Sequence, residues 1–180
     1  MRSFFILIIS VLSLGGTSVN PKEPAVQEAI TQYYFIRHAE KDASNTQDRD
    51  PQLSEAGVKR AGRWAKIFSE VEFDVIFSSN YHRTMNTARA VADTQQKKIE
   101  IYDPKKLNDP EFQKKTKGKT VLVVGHSNTN PAFVNLLLGE NKYRDLDEKE
   151  YGSLFLVTIS PGAGRLPSCF TSTKASKMPF

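Results

Sequence analysis

Apolar and polar positions follow two different periods along this chain, and together they lay out most of a fold. Short apolar runs bounded by turn residues read as buried strands over about 32–37, 73–77, 99–102, 120–124 and 151–159. The fourth, Thr120-Val121-Leu122-Val123-Val124, is too apolar to be anything but a central strand. Elsewhere the spacing turns helical. Leu53-Ser54-Glu55 opens a helix with Ser54 at the N-cap, and its apolar face takes Val58, Ala61, Trp64, Ala65, Ile67 and Phe68. A second helix is predicted over 83–93, turning Met85, Ala88, Val91 and Ala92 inward, and a third over 131–138, stopped by Gly139. The segment 103–118 holds Pro104, Pro110 and five lysines, and reads as a loop with one short helix. Strands alternating with helices predict an α/β fold, a three-layer α/β/α sandwich with a mostly parallel central sheet. A chain of 180 residues can bury one sizeable core, and no internal repeat divides it.

Both ends depart from this pattern. Arg2, an apolar core from Phe4 to Leu14 and the small residues Gly15-Gly16-Thr17-Ser18 have the layout of a secretory signal peptide over 1–18. The apolar run is too short to span a bilayer, so the expectation is an exported protein, periplasmic or extracellular, with no stable membrane insertion after cleavage; retention as an N-terminal anchor is the alternative. A polar lead-in with Pro21 and Pro24 occupies 19–30, and the domain itself is expected over 31–160. From Pro161 to Phe180 Gly, Pro, Ser, Thr and Lys dominate, which predicts a disordered basic tail. Cys169 is the only cysteine, so no intramolecular disulfide can form and stability must rest on the hydrophobic core. The formal charge of +5 sits largely at the ends: without Arg2, Arg165, Lys174 and Lys177 it falls to about +1. No basic stripe is interleaved with aromatics, so nucleic acid is not an expected partner.

Candidate chemistry collects where strands end. Tyr33-Tyr34-Phe35-Ile36 runs straight into Arg37-His38, and ligands of open α/β sheets bind at the carboxyl ends of strands. A guanidinium can fork onto phosphoryl oxygens and a neutral imidazole nitrogen can attack phosphorus. A strand-end histidine bonded to a nearby carbonyl, with Arg37 solvated, is the plainer reading of the same two residues. His126 follows the central strand, while His82 and Arg83 follow the second. If those strands are neighbours, Arg37, His38, Arg83 and His126 converge with helix N-terminal amides into an anion site.

Other motifs fail on context. Gly125-His126-Ser127-Asn128-Thr129 approximates a nucleophile elbow, but Thr129 replaces its last glycine and no histidine follows His126. Gly118-Lys119-Thr120 precedes a strand where a P-loop would follow one. No paired His or Cys spacing suggests zinc. The lysine pairs between Lys105 and Lys119 read as a solvated face that could draw in an anionic substrate.

Four segments resemble the histidine phosphatases, the superfamily that includes the cofactor-dependent phosphoglycerate mutases. Arg37-His38-Ala39-Glu40 is similar to the Arg-His-Gly-Glu signature, and Asp50-Pro51-Gln52-Leu53-Ser54-Glu55-Ala56-Gly57 to the approach to the first helix. Ser78-Ser79-Asn80-Tyr81-His82-Arg83-Thr84, with Thr87-Ala88 beyond it, resembles the Ser-Ser-Pro-x-x-Arg-Thr block, and Val123-Val124-Gly125-His126-Ser127 the second histidine block. The matches keep family order from about Tyr34 to Leu138. The resemblance implies a phosphoglycerate mutase-like fold and His38 as a nucleophile passing through phosphohistidine. It makes Arg37, Arg83 and His126 the phosphoryl-binding groups, with no metal and no cofactor. Ser127 caps the following helix or contacts phosphate, and Glu40 steadies the loop, orients a histidine or is an ordinary turn acid. Ala39 stands where the family has Gly, and Asn80 where it has Pro. The general acid is least clear: Leu107-Asn108-Asp109 offers Asp109, with Glu111 close by, although Asp109 before Pro110 also reads as a turn residue. The expected activity is hydrolysis of a small phosphorylated substrate. A module that binds a phosphorylated ligand without turning it over is the alternative.

Overall fold

The computed structural model describes residues 30–160 and, in backbone only, the strand Ser168–Ser172. Six strands form one sheet: β1 (Thr31–Arg37), β2 (Val75–Ser78), β3 (Ile99–Ile101), β4 (Thr120–Gly125), β5 (Leu154–Ile159) and β6 (Ser168–Ser172). Their order across the sheet is β3-β2-β4-β1-β5-β6. The first four run parallel, and β5 and β6 are antiparallel additions beside β1. Among the described residues four helices flank the sheet: α1 (Glu55–Ile67), α2 (His82–Thr94), α3 (Pro110–Thr116) and α4 (Thr129–Leu138). Among the described residues no helix is long and apolar enough to cross a membrane.

Alternation along the strands divides the core in two, because successive side chains leave a strand on opposite faces. Tyr33, Phe35, Val121 and Val123 point to one face and pack with Phe112 of α3 and Phe133 and Val134 of α4. Ile36, Ile76, Leu122 and Val124 point to the other and pack with Trp64 and Phe68 beside α1 and Ala88 and Val91 of α2. The three-layer sandwich follows from that division, as the pattern of apolar runs predicts. One polar pair inside the core joins β1 to α3: Tyr33 Oη and Thr116 Oγ1 lie 2.6 Å apart.

Two features depart from the sequence reading. Val58 and Ile67 are 60 % and 47 % exposed, not inward. The buried stripe of α1 is Gly57, Ala61 and Trp64, continued by Phe68, and Val58 and Ile67 lie to either side of it. On α2 the inward set gains Thr84 and Thr87, two polar residues whose hydroxyls are satisfied locally. The second departure is the tail. Residues 168–172, expected to be disordered, pair with β5 from Leu154↔Ser172 to Thr158↔Ser168. Ser-Cys-Phe-Thr-Ser meets an open antiparallel edge there, and ladder hydrogen bonds outweigh the polar composition around it. Residues 1–18, with most of the lead-in and the rest of the tail, lie outside the described residues.

The start of α1 is fastened to the loop after β1. The Glu40 carbonyl accepts the Ser54 N–H at 2.9 Å and the Ser54 hydroxyl at 3.2 Å, while Ser54 Oγ accepts the Gly57 N–H at 3.1 Å. A Cβ on Gly57 would stand 2.1 Å from the Glu40 carbonyl oxygen, a backbone atom with no freedom to swing away. Gly57→Ala is therefore expected to lower stability by about 1–3 kcal/mol, as overpacking does. Urea denaturation checks this, and an unchanged midpoint would refute the contact.

Candidate active site

Strand register places the histidines side by side. Arg37 pairs with Gly125 across β1 and β4, so the next residue of each strand, His38 and His126, emerges at the same sheet edge. The His38 N–H then donates to the Gly125 carbonyl at 2.9 Å, and the two rings meet edge to face with centroids 5.5 Å apart. Because β2 flanks β4 on its other side, Ser78 aligns with Val124 and the chain turns through Ser79 into α2, which carries Arg83 in its first turn. Arg37, His38, Arg83 and His126 thus line one cavity of about 620 Å³.

Hydrogen bonds assign the ring protons. His38 Nδ1 lies 2.8 Å from the Ala39 carbonyl oxygen. A carbonyl only accepts, so Nδ1 carries the proton and Nε2 keeps its lone pair. The plainer reading, a histidine bonded to a nearby carbonyl, is thus correct in its contact, and that contact prepares the opposite nitrogen. The Ala39 N–H is held by Thr87 Oγ1 at 2.9 Å, and Thr87 in turn donates to the Arg83 carbonyl at 2.7 Å. Ala39 does not adopt a positive φ, so a residue with Cβ fits where the family has Gly.

A second relay orients His126. Thr84 Oγ1 donates to the Ser79 and Tyr81 carbonyls, so it receives the proton of Ser79 Oγ at 3.0 Å. With its own proton committed, Ser79 Oγ accepts from His126 Nε2 at 2.9 Å.

Burial, helped by the charge around the rings, keeps both neutral. Burial pushes His38 down to about 3, and His126, Arg83 and Arg37 push the same way against the Ala39 carbonyl. Burial likewise brings His126 to about 4, helped by Arg83 and Arg37 and opposed by Asp50. Each arginine has a tyrosine beneath it that also touches a histidine. Arg37 stacks 4.3 Å over Tyr151, whose ring meets His38, and Arg83 stacks 4.4 Å over Tyr81, whose ring meets His126. Arg83 Nη1 also lies 3.4 Å from Asp50 Oδ1.

Arg37 is not solvated. Its side chain is 3 % exposed; Nη1 donates to the carbonyls of Asp147, Glu148 and Glu150 at 2.8, 3.2 and 3.3 Å, and Nη2 to Glu148 Oε2 at 3.2 Å. Its Nε–H is buried without an acceptor.

The family model of the histidine phosphatase superfamily (branch 1) matches residues 33–112, the segment holding Arg37, His38 and Arg83. Over that segment, a little under half of its length, the chain is similar to the superfamily. A 2,3-bisphosphoglycerate-dependent phosphoglycerate mutase of Methylorubrum populi is 37 % identical over 68 residues, 36 % of this chain and 32 % of that relative. The chain therefore matches only about a third of the length of that enzyme. Among solved structures, a mutant phosphoserine phosphatase from Entamoeba histolytica in complex with phosphoserine superposes with a TM-score of 0.61 at 17 % identity, covering 79 % of this chain and 97 % of that one. A phosphoglycerate mutase from Bacillus anthracis gives 0.59 at 16 % identity, covering 81 % and 93 %. These likenesses establish the phosphoglycerate mutase-like fold.

Beside that family pattern, three sequence expectations take a different place. Asp109 is the N-cap of α3, its carboxylate accepting the Phe112 N–H at 2.8 Å, and it does not line the cavity. Pro110 at the first position of that helix is what turns Asp109 into a cap, and Glu111 sits in the first turn behind it. Ser127 lines the cavity but does not cap α4; Asn128 does, accepting the Thr129 N–H at 2.9 Å, which leaves Ser127 as a wall of the site. Glu40 is a structural acid. Burial alone would raise it, yet the Arg60 guanidinium, bound through Nε and Nη2 at 2.6–2.9 Å, holds it below its usual range.

The sequence reading missed Tyr81, Tyr151 and the whole 145–148 wall. Tyr81 lies inside the Ser-Ser-Asn-Tyr-His-Arg block and could have been noticed; Asp145, Leu146 and Glu148 lie in a polar run with no periodicity.

The depressed histidines have a consequence for stability. An unfolded imidazole takes up its proton near 6.5, whereas these two resist until about 3 and 4, so the unfolded state binds more protons throughout that window. Their contribution is lost as pH falls from about 6.5. The urea midpoint of the wild type is expected to drop between about pH 7 and pH 5, and that of the His38→Gln, His126→Gln double variant to drop less. Equal slopes would contradict the assignment.

Proposed function

We propose that this chain is a metal-independent phosphatase that hydrolyses phosphate monoesters, or another phosphorylated group, through a phosphohistidine on His38. The observation that carries the reading is the bond from His38 Nδ1 to the Ala39 carbonyl, which leaves a neutral, oriented Nε2 as the nucleophile inside an arginine-lined cavity. Attack forms the Nε2–P bond as the ester P–O bond breaks. Negative charge on the transferring group meets the Arg83 and Arg37 guanidiniums that line the cavity, while the neutral His126 ring, its N–H given to Ser79, packs beside the nucleophile. Water then cleaves the N–P bond, releasing phosphate and restoring the neutral ring.

Hydrolysis is favoured over a mutase reaction by the mouth of the cavity. Lys41, Lys105, Asn128 and Asp145 are all exposed there, so water reaches the phosphohistidine readily. The signal-peptide layout of residues 1–18 supports an exported enzyme, and the small phosphorylated substrate would then be met outside the cytoplasm.

Hydrolysis of p-nitrophenyl phosphate by the wild type in the presence of EDTA, beside His38→Ala, tests the reading. Turnover that survives the chelator and falls at least about 10³-fold in the variant is expected. Acid quench should trap label from a ³²P-phosphoester on the wild type and not on His38→Ala. Folded wild-type protein that binds phosphate but turns nothing over would favour the phospho-ligand binding module instead.

A further inference from the structure

The site as built has a nucleophile and charge stabilisers but no evident source for the proton that a leaving alkoxide needs. Most carboxylates near it are committed. Asp50 accepts the His82 N–H at 2.9 Å and faces Arg83, Glu40 is bound by Arg60, and Asp109 caps α3. On the β3–α3 side the wall of the cavity is Pro104 and Lys105, with no acid. The two carboxylates that line the cavity, Asp145 and Glu148, both come from the segment between α4 and β5.

They are not equivalent. Glu148 is tied to Arg37 Nη2 at 3.2 Å and could donate a proton only by giving up that ion pair. Asp145 makes no hydrogen bond or ion pair among the described residues, and its carboxyl lies exposed at the mouth, where a leaving group would exit. Its backbone is nevertheless anchored. The neighbouring Leu146 N–H donates to the Ser127 carbonyl at 2.9 Å, one residue past His126, and the Arg37 guanidinium grips the carbonyls of residues 147, 148 and 150. A free carboxyl on a pinned segment, beside the second histidine, meets the positional need of a general acid.

Resting on the phosphatase reading, we infer that Asp145 is the general acid of this site, a role that sequence spacing offered to Asp109. In the first half-reaction the P–O bond of the ester breaks as Nε2–P forms, and the Asp145 carboxyl proton passes to the departing oxygen. In the second, the Asp145 carboxylate takes a proton from the attacking water as N–P breaks, which returns the carboxyl to its starting form.

Leaving-group dependence separates this role from a structural one. The wild type, Asp145→Asn and Glu148→Gln are compared on p-nitrophenyl phosphate, whose phenolate departs without a proton, and on β-glycerophosphate, whose alkoxide does not. Asp145→Asn is expected to lose about 10²–10⁴-fold in kcat on the alkyl ester while staying within a few-fold on the aryl one. Glu148→Gln should show no such split. Equal losses on both esters, no loss on either, or the split appearing in Glu148→Gln would each overturn the assignment. A wild type inert towards both esters would bring down the phosphatase reading and this inference with it.

Discussion

The parallel ladder between β1 and β4 is the constraint from which the site follows. It aligns Arg37 with Gly125, and it alone makes residues 88 positions apart into neighbours with touching rings. A slip of one residue would turn every side chain of β1 to the opposite face, burying Tyr34 and Ile36 where Tyr33 and Phe35 now lie. Two apolar clusters, one on each face, oppose that slip with most of the aromatic side chains of the domain. Register in this fold is thus protected by the core, and the chemistry inherits its accuracy.

Once placed, the histidines are governed by backbone groups and small hydroxyls more than by other charges. One carbonyl decides where the proton of His38 sits, and a Thr84–Ser79 relay does the same for His126. Such fixed, short contacts suit a site whose task is to hold two neutral rings among guanidiniums. The tyrosines under Arg37 and Arg83 act likewise, giving each planar cation a face to lie on without neutralising it.

Much of this was legible in the sequence because the informative residues sit next to strong strand signals. Arg37-His38 and Gly125-His126 each terminate an apolar run, and Arg83 follows a third, so placing the strands places the side chains. What escaped was whatever depends on distant pairing. Asp109 matched a family spacing, but Pro110 behind it makes a helix start, and the local cap prevailed. Asp145 and Glu148 belong to a segment without regular structure, brought to the site by the grip of Arg37, more than a hundred residues earlier, and by the Leu146 bond to Ser127. β6 was invisible for a similar reason: its composition is that of a loop, and its partner edge exists only after β5 has paired with β1.

The burial of Arg37 has a further meaning for how this position can vary. Its guanidinium serves three carbonyls, one carboxylate and one tyrosine face, and keeps one buried N–H unpaired. Lysine would keep the charge but offer a single ammonium, unable to reach acceptors on several sides at once. Neutral residues would strand the carbonyls as well. The position is therefore closed to gradual substitution, since the anchoring of the segment before β5 and the stacking on Tyr151 draw on one planar group.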